Sequence, residues 1–267
     1  MPVPLVRVGL LKQDRQRFSY SLVSLLVKTI DTSKIEGHAS ALLDLHLRLA
    51  EKNALLQKLV FDHPLVTHLS GKRSQHGVAT LQHTLYLSCA QDIAKITFDK
   101  DSRTPSLANT VHTLKDGRIK GQLERNFSVW SEPDYRSYSD PAIIEALKRI
   151  ELREAAKRLE QFGQLLAELE TLSESIFSSP TFSAFRTVRD KITAHTEIKL
   201  VADKYLPIDL GTLSLKWGDI NACVNLLERP VELVGLVVRN SSFAWDSFHA
   251  QLEKNVASVW DNAKGAS

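Results

Sequence analysis

The segment PTFSAFRTVRDKITAHTEIK carries Arg189 and His195 six residues apart, with Asp190 and Lys191 between them and Arg186 one turn before. These are side chains for phosphate chemistry. An imidazole moves protons near neutral pH, a guanidinium presents a planar fork of donors to an oxyanion, and further cations attract a polyanion. Phe182, Phe185, Val188 and Ile192 recur at helical spacing and define a buried sector. With Phe185 at zero on a helical wheel, Arg189 falls at ~40° and His195 at ~280°, both leaning to the occluded side, and Asp190 at ~140° points away. A guanidinium so placed requires a partner, either a core carboxylate or an anionic ligand in a cleft or subunit interface. The charge of Lys191, one turn before His195, disfavours the imidazolium and leaves the ring available as a base. One short helix is therefore the candidate active site.

A second concentration of charge precedes RIKGQLERNFSVWSEPDYRSYSD, an irregular stretch between Asp116 and Asp140 that reads as a long loop or lid. Lys115, Arg118, Lys120 and Arg125 stand at its start, and Phe127, Trp130, Tyr135 and Tyr138 offer faces on which bases could stack. A surface loop pinned by its own aromatics accounts for the same residues. Arg7, Lys12, Arg15 and Arg17 in the first arm read equally as a solvated basic face. Other chemistries lack their residues. His76 and His83 stand seven apart with no third ligand, so no metal is expected. No G-x-S-x-G elbow, phosphate-binding loop or G-x-G-x-x-G fingerprint occurs. Cys89 and Cys223 form no paired motif, which removes disulfide scaffolds, zinc knuckles and thiol redox chemistry.

The elements that must position these groups are helices. Leu42, Leu45, Leu49, Leu56 and Leu59 fall at helical intervals, as do Val78, Leu81, Leu85, Cys89, Ile93 and Ile96. Asp140 followed by Pro141 opens a long helix with a side-chain acceptor and then a ring where no donor is needed. Its stripe runs through Leu152, Ala156, Leu159, Phe162, Leu166, Leu169, Leu172 and Ile176, with a Glu154–Arg158 pair outside it, until Ser178, Ser179 and Pro180 close it. A looser stretch from Leu206 to Leu215 leads to a seam of Trp217, Ile220, Val224, Leu227, Val231, Val234 and Val238, capped by Asp219 and bent at Pro230. Internal packing suits this seam better than a partner. Trp245, Phe248, Leu252, Val256 and Val259 mark a last helix. The expected fold is all-α, an antiparallel helical bundle with a longer irregular loop around 116–140, divided into an N-terminal extension, 1–33, and a helical domain, 34–267.

A chain of 267 residues with 43% hydrophobic and 24% charged residues can build one large core, which argues against wholesale disorder and several membrane spans. The start has no apolar run after a basic head, so no secretory signal is expected, and a cytoplasmic location without membrane attachment follows. The balance of 34 basic against 31 acidic residues does not announce a nucleic-acid binder by bulk charge, so any such patch must be local.

The stretch RDKITAH resembles the R-x(4 to 6)-H signature of the HEPN superfamily. DKDSRTPSL, Asp99 to Leu107, and LKWGDI, Leu215 to Ile220, are similar in kind and order to segments of its AbiU-type abortive-infection branch, over roughly Leu42 to Arg239. The resemblance implies a metal-independent endoribonuclease with no cofactor, in phage defence or a toxin–antitoxin response. Arg189 and His195 would be the catalytic pair and Asp190 the neighbour that helps to orient them. RNA would be the substrate, with Lys191, Arg186, Lys115, Arg118 and Lys120 as candidate contacts. Because one chain offers one motif histidine, a homodimer with a composite site is expected, together with an antitoxin or defence partner. The alternative is a non-catalytic HEPN-like module that binds RNA or proteins.

Overall fold

Apolar residues at helical spacing build the two helices at the centre of the bundle. In the computed structural model, α1 spans Ser33–Phe61 and buries Leu42, Leu49, Leu56 and Leu59, and α2 spans Ser74–Phe98 and buries Cys89, Ile93 and Ile96. The structure describes residues 30–62, 66–67, 74–129, 138–193, 198–201, 204–207 and 210–264. The two helices run antiparallel. Gln82 donates to the Leu59 carbonyl at 2.6 Å, and Lys52, further back along α1, meets Ser88 at 2.9 Å and the largely buried Asp92 further along α2. Cations and amides at such seams satisfy groups that burial would otherwise penalise.

Six more helices complete the bundle among the described residues: α3 Leu107–Leu114, α4 Gly117–Ser128, α5 Pro141–Ser178, α6 Pro180–Val188, α7 Trp217–Arg239 and α8 Trp245–Lys264. α1 packs on α2, α7 and α8, α2 on α6, and α5 on α4 and α7. The seam read along α7 is internal: Ile220, Val224, Leu227, Val231, Val234 and Val238 are all buried in the common core. Asp219 accepts the Lys216 N–H at 2.7 Å, so it closes the first turn from inside the helix. α7 continues through Pro230 and ends at Asn240, whose φ of 49° places it in the left-handed region. Asp140 accepts the Ala142 N–H at 2.8 Å ahead of Pro141, as the sequence predicts for the start of α5. The fold is thus all-α, with one addition, a two-stranded antiparallel hairpin in which β1, Ile198–Val201, pairs with β2, Lys204–Pro207.

Four expectations are corrected. The irregular loop around 116–140 is helical over its first half. Asp116 accepts the Arg118 N–H at 2.9 Å and caps α4, and Ile119, Leu123 and Phe127, four residues apart, turn one apolar face inward. Residues 130–137, with Trp130 and Tyr135, lie outside the described residues. The stripe of α5 becomes a buried face only at Phe162. Leu152 and Leu159 are exposed. The Glu154–Arg158 pair does not form. Glu154 bonds Lys157 at 2.8 Å, and Arg158 reaches the Val129 carbonyl at 3.0 Å. Finally, the motif segment is not one helix through Lys199, because Ile198 and Lys199 belong to β1. The N-terminal extension also lies almost wholly outside the described residues, and among the described residues no helix is long and apolar enough to cross a membrane.

Candidate active site

Ser179 and Pro180 restart the chain after α5, and α6 then drives Phe182, Phe185 and Val188 into the core. Phe185 lies 6.3 Å from Tyr86 of α2, ring centre to ring centre, and Tyr86 in turn meets Trp217 of α7 at 5.1 Å. Burial pushes the Tyr86 hydroxyl up to about 12, so it stays neutral in this aromatic wall. The α-helix ends at Val188 and a π-turn follows, Arg189–Thr193. Thr193 Oγ1 donates back to the Arg189 carbonyl at 3.0 Å. Each residue of such a turn advances through a smaller angle than in an α-helix, so the 100° wheel no longer applies after Val188.

The Asp190 side chain is 41% exposed; its carboxylate accepts a hydrogen bond from Arg189 Nε at 2.8 Å and lies 3.6 Å from Arg186 Nε, one turn before. Arg189 is partly buried, its side chain 23% exposed, and Nη1 faces Asp99 Oδ2 at 3.8 Å. Arg186 lies over the Phe98 ring at 5.6 Å. Two consecutive residues at the end of α2, Phe98 and Asp99, therefore receive the two arginines of the motif segment, one through its π-face and one through its charge.

The sequence reading gave Asp99 no role. Its position follows from a loop tied at several points. Ser106 donates to the Asp99 carbonyl and accepts the Asn109 N–H at 3.1 Å, capping α3. Asp101 takes the Arg103 guanidinium on both oxygens, at 3.0 and 2.7 Å, which holds its carboxyl down at about 2. Asn109 donates to the carbonyls of Asp101 and Thr104, and Leu107 is fully buried. The DKDSRTPSL segment is thus a folded corner that fixes where Asp99 stands. An acidic residue directly after a buried helix end was the available signal, but its partner is far away in sequence.

The other predicted site residues divide into groups. Arg186, Arg189 and Asp190 form one connected cluster, with the partly buried Lys191 next in the chain. His195 lies in 194–197, outside the described residues. Lys115, Arg118 and Lys120 are exposed around the corner between α3 and α4, where Arg118 is bound to Asp116 at 3.2 Å. No hydrogen bond or ion pair among the described residues joins them to the Arg189 cluster. His76 and His83 are exposed on α2, and both cysteines are buried, with burial pushing each thiol up to about 12. Arg189 and its two carboxylates can present a guanidinium in fixed orientation, the arrangement that receives a phosphoryl oxygen.

The family model for the AbiU2 branch of HEPN domains matches residues 32–258. The chain belongs to that family. No curated protein and no solved structure matches it.

Proposed function

We propose that this chain is an endoribonuclease of abortive-infection phage defence that needs no metal ion, with Arg189 and His195 as its catalytic pair and Asp190 orienting Arg189. The base takes the proton of a 2'-hydroxyl, that oxygen attacks the adjacent phosphorus, and the bond from phosphorus to the 5'-oxygen breaks as the leaving oxygen gains a proton. Arg189 steadies the charge that gathers on the phosphoryl oxygens. The products are a 2',3'-cyclic phosphate and a 5'-hydroxyl, and DNA, lacking the nucleophile, resists. The reaction uses a base and an acid while each chain contributes one motif histidine, so the active species is a homodimer with motif segments from both chains in one cleft. A cellular partner restrains the activity, and the domain begins after a separate N-terminal extension.

The observation that carries this reading is the half-buried Arg189, held by Asp190 at 2.8 Å inside the RDKITAH segment of a HEPN-family chain. The test is incubation of the purified protein with total RNA in EDTA, beside Arg189→Ala and His195→Ala. Cleavage lost in both variants supports the enzyme, and cleavage that EDTA removes speaks against it. A second reading, favoured by the Asp99–Arg189 pair, makes Arg189 a structural ion pair in a module without catalysis. Under it, Arg189→Ala lowers thermal stability and His195→Ala is silent.

A further inference from the structure

We infer that Asp99 is a positioning residue of the cleavage site, acting through Arg189 to aim its guanidinium at the scissile phosphate. The inference rests on the ribonuclease reading above. Asp190 belongs to the same turn as Arg189, so its contact with Arg189 sets no orientation relative to the rest of the bundle. Asp99 is the carboxylate that reaches Arg189 from another element. Its frame is fixed on both sides. Phe98 packs on Phe177 at 6.0 Å before it, and after it the Ser106 hydroxyl and the Asn109 amide tie the corner closed.

The geometry divides the guanidinium between two carboxylates. Nη1 and Oδ2 stand 3.8 Å apart, an ion pair beyond hydrogen-bonding range, whereas Nε makes the short bond to Asp190. The Nε bond fixes the plane of the guanidinium, while the Asp99 charge draws its Nη1 edge towards the α2–α3 corner and leaves the Nη donors able to take up phosphoryl oxygens. Asp99 and Arg189 are both about a quarter exposed, so the attraction is less screened than at an open surface. A carboxylate beside an RNA site repels the substrate, and its presence there costs ground-state affinity. Its role therefore belongs to the transition state, where the guanidinium must meet developing charge in one orientation.

The test is steady-state cleavage of an RNA oligonucleotide by the full chain and by Asp99→Asn, which removes the charge and keeps the shape. The expected result is a kcat lower by about tenfold or more with KM unchanged or reduced, the sign that a lost positioning interaction gives. In an Arg189→Lys background the same substitution has little further effect, because both act through one group. Arg229→Ala removes an ion pair between α7 and α5 that shares no partner with Arg189 or Asp99 and should leave kcat near wild type. Thermal melting of each variant reports its folded fraction, to which kcat is normalised. Wild-type kcat in Asp99→Asn, or an equal loss in Arg229→Ala, overturns the role of Asp99 while the ribonuclease reading stands. An Arg189→Ala chain that cleaves normally, or a wild-type chain that cleaves no RNA, removes the reading itself and this inference with it.

Discussion

At the scale of single residues, Arg189 is constrained by shape as much as by charge. Its Nε bonds Asp190 at 2.8 Å while Nη1 faces Asp99, so two carboxylates use two different edges of one planar fork. Lysine keeps the charge but has a single ammonium, which cannot meet both and still offer a second edge to a phosphate. Arg189→Lys is therefore expected to lose about tenfold or more in kcat with little change in melting temperature, measured on the same RNA substrate. Recovery of full activity by lysine would mean that bulk charge suffices. A separate residue governs the response to pH. His46 is 1% exposed, set edge-on to Trp245 at 5.5 Å, and burial, assisted by His249, holds its ring down at about 4. The unfolded chain binds a proton near the ordinary value of about 6.5, so between these two pH values it is stabilised by protonation and the folded chain is not. Stability is fully present above 6.5 and falls as the pH drops towards 4, by up to about 1.4 kcal/mol per pH unit from this group. Urea midpoints measured across that range should show a shallower slope in His46→Phe, and an unchanged slope would assign the effect elsewhere.

At the scale of elements, the ends of helices explain which parts of the fold are legible in the sequence. α7 stops because Asn240 adopts φ 49° and its N–H bonds the Leu236 carbonyl at 3.0 Å. A residue with a β-carbon and no local hydrogen bonding is strained there, whereas glycine is not. Asn240→Ala should lose about 1 kcal/mol in thermal or denaturant unfolding, and Asn240→Gly should equal or exceed wild type. A neutral alanine would show that the turn relaxes. The start of α5 at Asp140–Pro141 and the seam of α7 are equally readable, because a cap and a buried stripe are local patterns. α4 was hidden: Gly117 and Gly121 lower its helix propensity and turn-forming residues follow it, so the period of Ile119, Leu123 and Phe127 is easily missed. The hairpin consists of two four-residue strands, too short for alternation to stand out against helical neighbours. The π-turn after Val188 and the arrival of Asp99 beside Arg189 are tertiary in origin. Helical periodicity carries no information about either, although the wheel did place Arg189 on the half-buried side where it sits.

At the scale of the whole molecule, the proposed enzyme, being near charge balance, draws RNA through local features. Lys115 and Lys120 are exposed at the α3–α4 corner, apart from the hydrogen-bonded cluster around Arg189, so in the proposed enzyme they are contacts to the RNA backbone. Lys115→Glu with Lys120→Glu is expected to raise KM and to make its rise with salt shallower than in wild type, while leaving kcat intact; a fall in kcat alone would place this corner in the chemistry. The composite site makes a stricter demand. If each cleft uses the motif histidines of two chains as base and acid, a mixed dimer of one wild-type chain and one His195→Ala chain lacks one of the two, although its wild-type chain is intact. Co-expression of the two chains under different tags, followed by sequential affinity purification, isolates that dimer. Its loss of far more than half of the wild-type cleavage, alongside a wild-type mass by light scattering of two 29.9 kDa chains, is the expected outcome. A mixed dimer with half of the wild-type activity would confine each catalytic pair to its own chain. A wild-type mass of one chain in the presence of cleavage would show that a single RDKITAH segment performs both proton transfers.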